Sequence, residues 1–158
     1  MSVKKTNAMR MLNSAKIPYE TAEYTVDEND LSGVHIANEL GISPKIMYKT
    51  LVCRADNGEY EVFCIPSDDE LNLKKCAVVS SHKSVEMIPM KELLPTTGYI
   101  RGGCSPIGMK KSFPTYIYSD AKSLEKIYVS AGERGKQIII SPKALAEFLG
   151  AKFADIIK

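Results

Sequence analysis

Two stretches of this 158-residue chain combine residue types able to steady a developing negative charge. The first is Lys49, in the β-rich run MYKTLVCRA. A lysine in such a run ordinarily sits on the solvated face of a strand. Turned toward a pocket, its ammonium would stabilise a carbonyl becoming an oxyanion, provided burial leaves it protonated. Thr50 alternates to the other side of the strand and is harder to place in the same pocket. The second stretch is GYIRGGCSPIGMKK, residues 98–111. Gly102 and Gly103 let a ligand approach the main chain, and consecutive N–H groups in such a turn can form an anion-binding nest. Pro106 fixes the exit direction, and Arg101, Lys110 and Lys111 supply positive charge. Read alone, the same glycines fit an ordinary turn between strands equally well. A weaker third feature is YVSAGERGK, where Ser130 ends a strand and Arg134 faces either phosphate or solvent.

Several chemistries are disfavoured. The glycine spacing is not GxxxxGK[ST], so a nucleoside-triphosphate loop is unsupported. Ser105 is not in a G-x-S-x-G elbow and is a poor serine-hydrolase nucleophile. Cys104 has no histidine beside it to act as base. Cys53, Cys64, Cys76 and Cys104 include no C-x-x-C pair, and His35 and His82 are far apart, so the spacings predict no zinc site. The cysteines read as free thiols, with Cys53 and Cys64 inside apolar runs.

The elements that must position these residues are legible in part. Thr6 caps a predicted helix through Ala15, and YETAEYTV reads as a strand. VHIANEL before Gly41 reads as a short helix, and Ser43-Pro44 opens another helical turn. MYKTLVCRA and EYEVFCIPS flank Asn57-Gly58, a strong hairpin signal. A helix is expected from Asp68 through DDELNLKKCAVV, burying Leu71, Leu73 and Cys76. KSVEMIPMKELL suggests helical pieces broken by Pro89, and GYIRGG suggests a strand. TYIYSD, KIYVSAG and KQIIIS are further strands, and Pro142 starts a last helix. No βαβ repeat is visible. The expected fold is an α/β (α+β) domain, a curled, mixed, largely antiparallel sheet with surrounding helices, formed by residues 1–158 as a single unit.

Composition sets the outer bounds. Apolar residues make up 44% and charged residues 25%, a globular profile. No run approaches the ~18 apolar residues of a membrane span. The start, MSVKKTNAMRMLNSAK, lacks an apolar stretch after its basic residues, so the expected location is cytoplasmic. A net charge of +2 is too small for indiscriminate nucleic-acid binding, though a local basic patch is compatible with it.

In order along the chain, Y-K-T-L-V, L-N-L-K-K, V-E-M, T-G-Y-I-R-G-G-C-S-P-I-G-M-K-K, Y-V-S-A-G-E-R-G and A-K-F-A-D-I resemble the YbaK/EbsC family. These are freestanding relatives of the editing domain of bacterial prolyl-tRNA synthetase. The likeness runs from about Thr6 to Ile156. It implies the YbaK/aminoacyl-tRNA synthetase-associated fold and a trans-editing deacylase of mischarged Cys-tRNA(Pro), aided by the substrate's own thiol. The resemblance implies no metal and no cofactor. Its partners would be aminoacyl-tRNA, above all tRNA(Pro), and prolyl-tRNA synthetase. By the same resemblance Lys49 and Gly102 are the expected catalytic positions. Tyr24, Thr50, Gly103, Ser105, Pro106 and Ser130 are expected to bind substrate. Arg101, Lys110, Lys111 and Arg134 are expected to attract tRNA. Where some members carry an aspartate two residues after the R-G pair, this chain has Gln137, so no carboxylate role is expected there. The alternatives are an Ala-tRNA(Pro) deacylase of the same family and a non-catalytic tRNA- or nucleotide-binding regulator.

Overall fold

The computed structural model describes residues 4–158, and local sequence signals account for most of its helices and strands. Thr6 caps α1 (Asn7–Ser14) by accepting from the Met9 N–H, and Ala8, Met9 and Leu12 form its buried face. Ser32 caps α2 (Gly33–Leu40), which Gly41 ends at φ 70°, in the left-handed region. β2 (Tyr48–Ala55) and β3 (Tyr60–Pro66) form the expected antiparallel hairpin. Ala55 N–H donates to the Glu59 carbonyl at 2.7 Å, which leaves Asp56, Asn57 and Gly58 as the loop. Gly58, at φ 88°, takes the left-handed position that closes a three-residue connection.

The middle of the chain departs from the sequence-based expectation. The helix expected from Asp68 begins only at Leu73: α3 is Leu73–Val79, capped by Asn72. Leu71 is buried instead in an isolated bridge to Ile157, and Leu73 is exposed. Val85–Met87 is a strand, β4, not helix; it pairs antiparallel with the end of β2. Pro89 then leads into α4 (Met90–Thr97). GYIRGG is not a strand, because Gly98 ends α4 in the left-handed region and the chain turns again at Gly102. Ser43-Pro44 opens the expected single turn, in which the Ser43 carbonyl accepts from Ile46 N–H at 3.2 Å.

Beyond it lie β5 (Thr115–Tyr118), β6 (Ile127–Ser130), β7 (Lys136–Ile140), α5 (Pro142–Leu149) and β8 (Lys152–Ala154). The strands form two sheets, β1-β7-β6 with β1 at Glu20–Glu23, and β4-β2-β3-β5-β8. The first is antiparallel throughout. The second adds β5 parallel to β3, and β8 parallel to β5. A single parallel bridge, Met47 to Tyr128, links the two sheets before they diverge.

That divergence positions the site. The main core lies between the sheets and takes Val52, Val62 and Cys64 from one, Val129, Ile138 and Ile140 from the other, with α1 and α5 closing it. Cys53, Phe63, Ile65 and Tyr116 on the opposite face of the larger sheet pack on Cys76 and Ala77 of α3. α2 covers the junction, where Ile36 and Ala37 meet Met47.

Candidate functional site

The register of β2 leaves a strand edge open at the junction. Met47 accepts from Ser67 N–H, and Ala55 donates to Glu59, so the odd-numbered residues of β2 bond to β3. The even-numbered ones face the other way. Val52 is covered there by Ile88 N–H and Arg54 pairs with Glu86, but no strand pairs beside Thr50. The main chain of Thr50 therefore faces a gap between the sheets.

Two adjoining cavities fill that gap. The larger, about 480 Å³, is walled by Lys49, Thr50, Arg101, Gly102 and Cys104, with Met87, Ile88, Met90 and Leu93 as an apolar side. The smaller, about 90 Å³, shares Lys49, Thr50, Gly102 and Cys104 and ends at Met47, Tyr48, Ser130 and Gln137. Thr50 thus shares a wall with Lys49 although their side chains alternate, because the cavities lie along the strand edge, where both faces are reached.

Lys49 is half-buried and has no ion-pair partner among the described residues. Burial pushes its pKa below the usual lysine value, while Glu70, Asp69 and Asp68 pull in the opposite direction. Those carboxylates are already engaged: Lys45 stands 3.2 Å from Asp68 and 3.4 Å from Asp69, and Lys158 stands 3.0 Å from Glu70. Lys49 is thus a positive charge on this wall that no carboxylate among the described residues pairs directly.

The glycine loop is a tight turn in which each glycine has its own reason. Gly103 N–H donates to the Ile100 carbonyl at 2.9 Å, and Gly102 occupies the third turn position at φ 83°. That is a type II turn, in which the third position favours glycine. At Gly103 a Cβ would stand 3.2 Å from Arg134 N and 3.3 Å from Glu133 C, so the main chain of the β6–β7 loop passes directly against it. The expectation of two free amide donors is corrected here. Gly103 N–H closes the turn, whereas Gly102 N–H has no acceptor among the described residues.

The other expected site residues separate into groups. Ser130 stands at the small cavity, and its Oγ accepts from Gly132 N–H at 3.2 Å. Arg101 is on the larger wall. Arg134 donates through Nε to the Arg101 carbonyl at 2.8 Å and lies over Gly102. Ser105 is fully buried and its Oγ accepts from Ile107 N–H, which shapes the loop rather than either cavity. Pro106 and Lys111 line a separate cleft beside Met11 and Phe113. Lys110 reaches back to the Pro95 carbonyl at 3.4 Å. Tyr24 packs toward Ile36, Ala37 and Met47, outside the lining of both cavities.

One residue at the site was unassigned from sequence. Gln137 is 4% exposed, lies directly across from Ser130 in the β6–β7 pair, and its Oε1 has no hydrogen-bond partner among the described residues. A buried amide oxygen without a donor is uncommon, and here it borders a cavity. Burial pushes the Cys104 thiol up to about 12, with Thr97 partly opposing, so this cysteine is neutral at physiological pH and a weak nucleophile.

The model of the aminoacyl-tRNA editing domain matches residues 32–148, which include every residue lining the two cavities except Leu31. The chain belongs to that family. It is 48% identical over 152 residues to EbsC of Enterococcus faecalis, provisionally named a Cys-tRNA(Pro)/Cys-tRNA(Cys) deacylase, covering 96% of this chain and 93% of that one. This is the YbaK/EbsC branch anticipated from the motifs. A proline–tRNA ligase of Sulfurihydrogenibium sp. is 32% identical over 111 residues, 70% of this editing domain but 19% of the ligase. Among solved structures, hypothetical protein APE2540 superposes with a TM-score of 0.86 at 22% identity, covering 94% of this chain and 97% of its own. A structure described as a trans-editing enzyme for prolyl-tRNA synthetase gives 0.82 at 19% identity, covering 98% and 99%. These two likenesses establish the editing-domain fold. Among the described residues no helix is long and apolar enough to cross a membrane.

Proposed function

We propose that this protein, through residues 1–158 as one editing unit, is a trans-editing aminoacyl-tRNA deacylase that clears mischarged Cys-tRNA(Pro). The observation that carries the reading is the convergence of Lys49 and Gly102 on two adjoining cavities of unequal size. The smaller suits a short side chain. The larger, with its methionine-rich side, suits the apolar face of a terminal nucleoside. Similarity to EbsC supports the cysteinyl assignment.

The chemistry needs little from the protein because an aminoacyl ester is already activated. The substrate's own thiolate attacks the ester carbonyl, a sulfur–carbon bond forms, and the carbon–oxygen bond to the terminal ribose breaks. The ribose oxygen leaves with a proton, and the cyclic thioester that remains is hydrolysed by water. Lys49 and the Gly102 N–H offset the charge that gathers on the carbonyl oxygen, and the small cavity holds the acyl group in a reactive pose. The open edge at Thr50 offers a main-chain donor and acceptor to the same group. Arg101, on the wall of the larger cavity, would attract phosphate. A net charge of +2 gives modest affinity for tRNA, which favours recruitment through prolyl-tRNA synthetase in the cytoplasm.

The test is a deacylation panel with Cys-, Ala-, Ser- and Pro-tRNA, using the protein and Lys49→Ala. Cleavage of Cys-tRNA with little action on Ser- or Ala-tRNA, lost in Lys49→Ala, is the expected result. Equal turnover of Ala-tRNA would reject thiol attack in favour of water. Retention of Cys-tRNA without cleavage would make the protein a binding regulator.

A further inference from the structure

At the loop end of the β2–β3 hairpin, three side chains meet that the editing chemistry does not use. Glu61 lies on β3 opposite Cys53 and is 2% exposed. Its Oε1 is 2.7 Å from His82 Nε2. Its Oε2 is buried and has no hydrogen-bond partner among the described residues. Glu59, just after the hairpin loop, brings its Oε2 to 3.9 Å from the same imidazole nitrogen. One donor atom from each of the three residues lies within 4.8 Å of the others.

We infer that Glu59, Glu61 and His82 form a binding site for one divalent first-row transition cation, zinc being the type ion. A cation held at about 2.0–2.2 Å by imidazole and carboxylate donors in tetrahedral geometry sets those donors roughly 3.4 Å apart. The His82–Glu61 distance must open and the His82–Glu59 distance must close, each by well under an ångström. The ion gives the buried Glu61 carboxylate a second positive partner to offset its burial. Two carboxylates balance its double charge, and a fourth position stays open to water. The imidazole selects zinc and its neighbours over magnesium or calcium.

The main chain around the cluster is already fixed without an ion. Asp56 Oδ1 accepts from the N–H groups of Lys83 and Ser84 at 3.0 and 3.2 Å, which ties the segment after α3 to the hairpin loop. His82 N–H donates to the Ala77 carbonyl at 2.9 Å. Asn57 Oδ1 accepts from Glu59 N–H at 3.0 Å. Such a site clamps the hairpin to the end of α3. It is structural, and the deacylation step stays free of metal. Glu61 and His82 are 21 positions apart along the chain, a spacing that matches no ligand motif.

The experiment measures zinc binding by equilibrium dialysis with metal analysis, and thermal stability, on the intact metal-free protein with added zinc chloride. One zinc per chain and a rise in Tm reversed by a chelator are expected. His82→Asn should abolish both. Glu59→Gln, at an exposed position that does not threaten folding, should weaken binding by roughly tenfold or more. His35→Asn is the control, since His35 also lies near two aspartates, and it should change nothing. Absence of zinc binding by the wild-type protein at 100-fold molar excess or below would overturn the inference and leave Glu61–His82 as an ion pair. Undiminished binding in both His82→Asn and Glu59→Gln would also overturn it, by placing the zinc on the cysteines or elsewhere.

Discussion

The Nε–H of Arg134 donates to the main-chain carbonyl of Arg101 at 2.8 Å. That carbonyl and the Gly102 N–H belong to one planar trans peptide, so holding one end aims the other in the opposite direction. A side chain expected from sequence to attract tRNA thus orients the amide assigned to the carbonyl oxygen. Arg134→Lys keeps the charge and loses the planar donor. If orientation is the role, Arg134→Lys and Arg134→Ala should both lower the single-turnover rate, by about 10- to 100-fold, with little change in KM. If attraction of phosphate is the role, lysine should restore activity and alanine should raise KM. Single-turnover kinetics across substrate concentration separates the two.

Replacing Gly102 by alanine puts a Cβ on a residue at φ 83°, 3.3 Å from Arg134 Nε. The expected stability cost is about 1–2 kcal/mol, from left-handed backbone strain. The loss of activity should exceed that cost, because the peptide carrying the donor must rotate to relieve the strain. Urea denaturation together with single-turnover rates checks this. A variant with wild-type rate and lowered stability would remove the Gly102 amide from the reaction.

Burial lowers the Lys49 pKa, so the folded protein loses this proton more readily than the unfolded chain does. Below the folded pKa the buried charge costs stability, and that cost is relieved as pH rises through it. Activity moves the other way if the ammonium is required. After subtraction of spontaneous ester hydrolysis, kcat/KM should fall on the alkaline side with an apparent pKa below 10.5. The acidic side should rise with the substrate thiol, whose ordinary pKa is about 8.5. Lys49→Arg should retain partial activity and lose the alkaline fall. An alkaline fall unchanged in Lys49→Arg would assign it to another group.

Gln137→Leu removes an amide oxygen that lacks a donor, with little change in side-chain volume. Stability should hold or rise, since an unsatisfied buried acceptor is lost. If Oε1 accepts from the bound aminoacyl group, KM should rise about tenfold, the scale of one hydrogen bond. Thermal unfolding and a substrate titration check both signs. An unchanged KM would leave Gln137 as packing alone.

The parts of the fold legible in the sequence are those written in local chemistry. Thr6 caps α1, Gly41 ends α2, Pro142 starts α5, and Asn57-Gly58 closes its hairpin. The parts missed depend on distant partners. β4 and β8 are three-residue strands, and a parallel strand such as β8 has no turn signal beside it. GYIRGG looked like a strand because Tyr99 and Ile100 favour one. In the structure Tyr99 bonds instead to the Ile107 carbonyl and packs against Gly132. At the site, Lys49 and Gly102 were legible through their motifs. Gln137 was noticed only as a departure from the family pattern, because an unpaired amide oxygen is a property of packing. The apolar side made by Met87, Ile88 and Met90 follows from the position of β4 and could not be anticipated without it.

Glu20 pairs with Ile139 in one sheet and Phe63 with Tyr116 in the other, so each sheet is stitched by residues that lie far apart along the chain. Joining such distant segments costs loop entropy before any contact repays it, which places folding of this topology among the slower single domains. While β7 and β8 remain undocked, β1 and β5 expose unsatisfied backbone to neighbouring chains. Dilution and low temperature during refolding should therefore decide recovery far more than the choice of buffer.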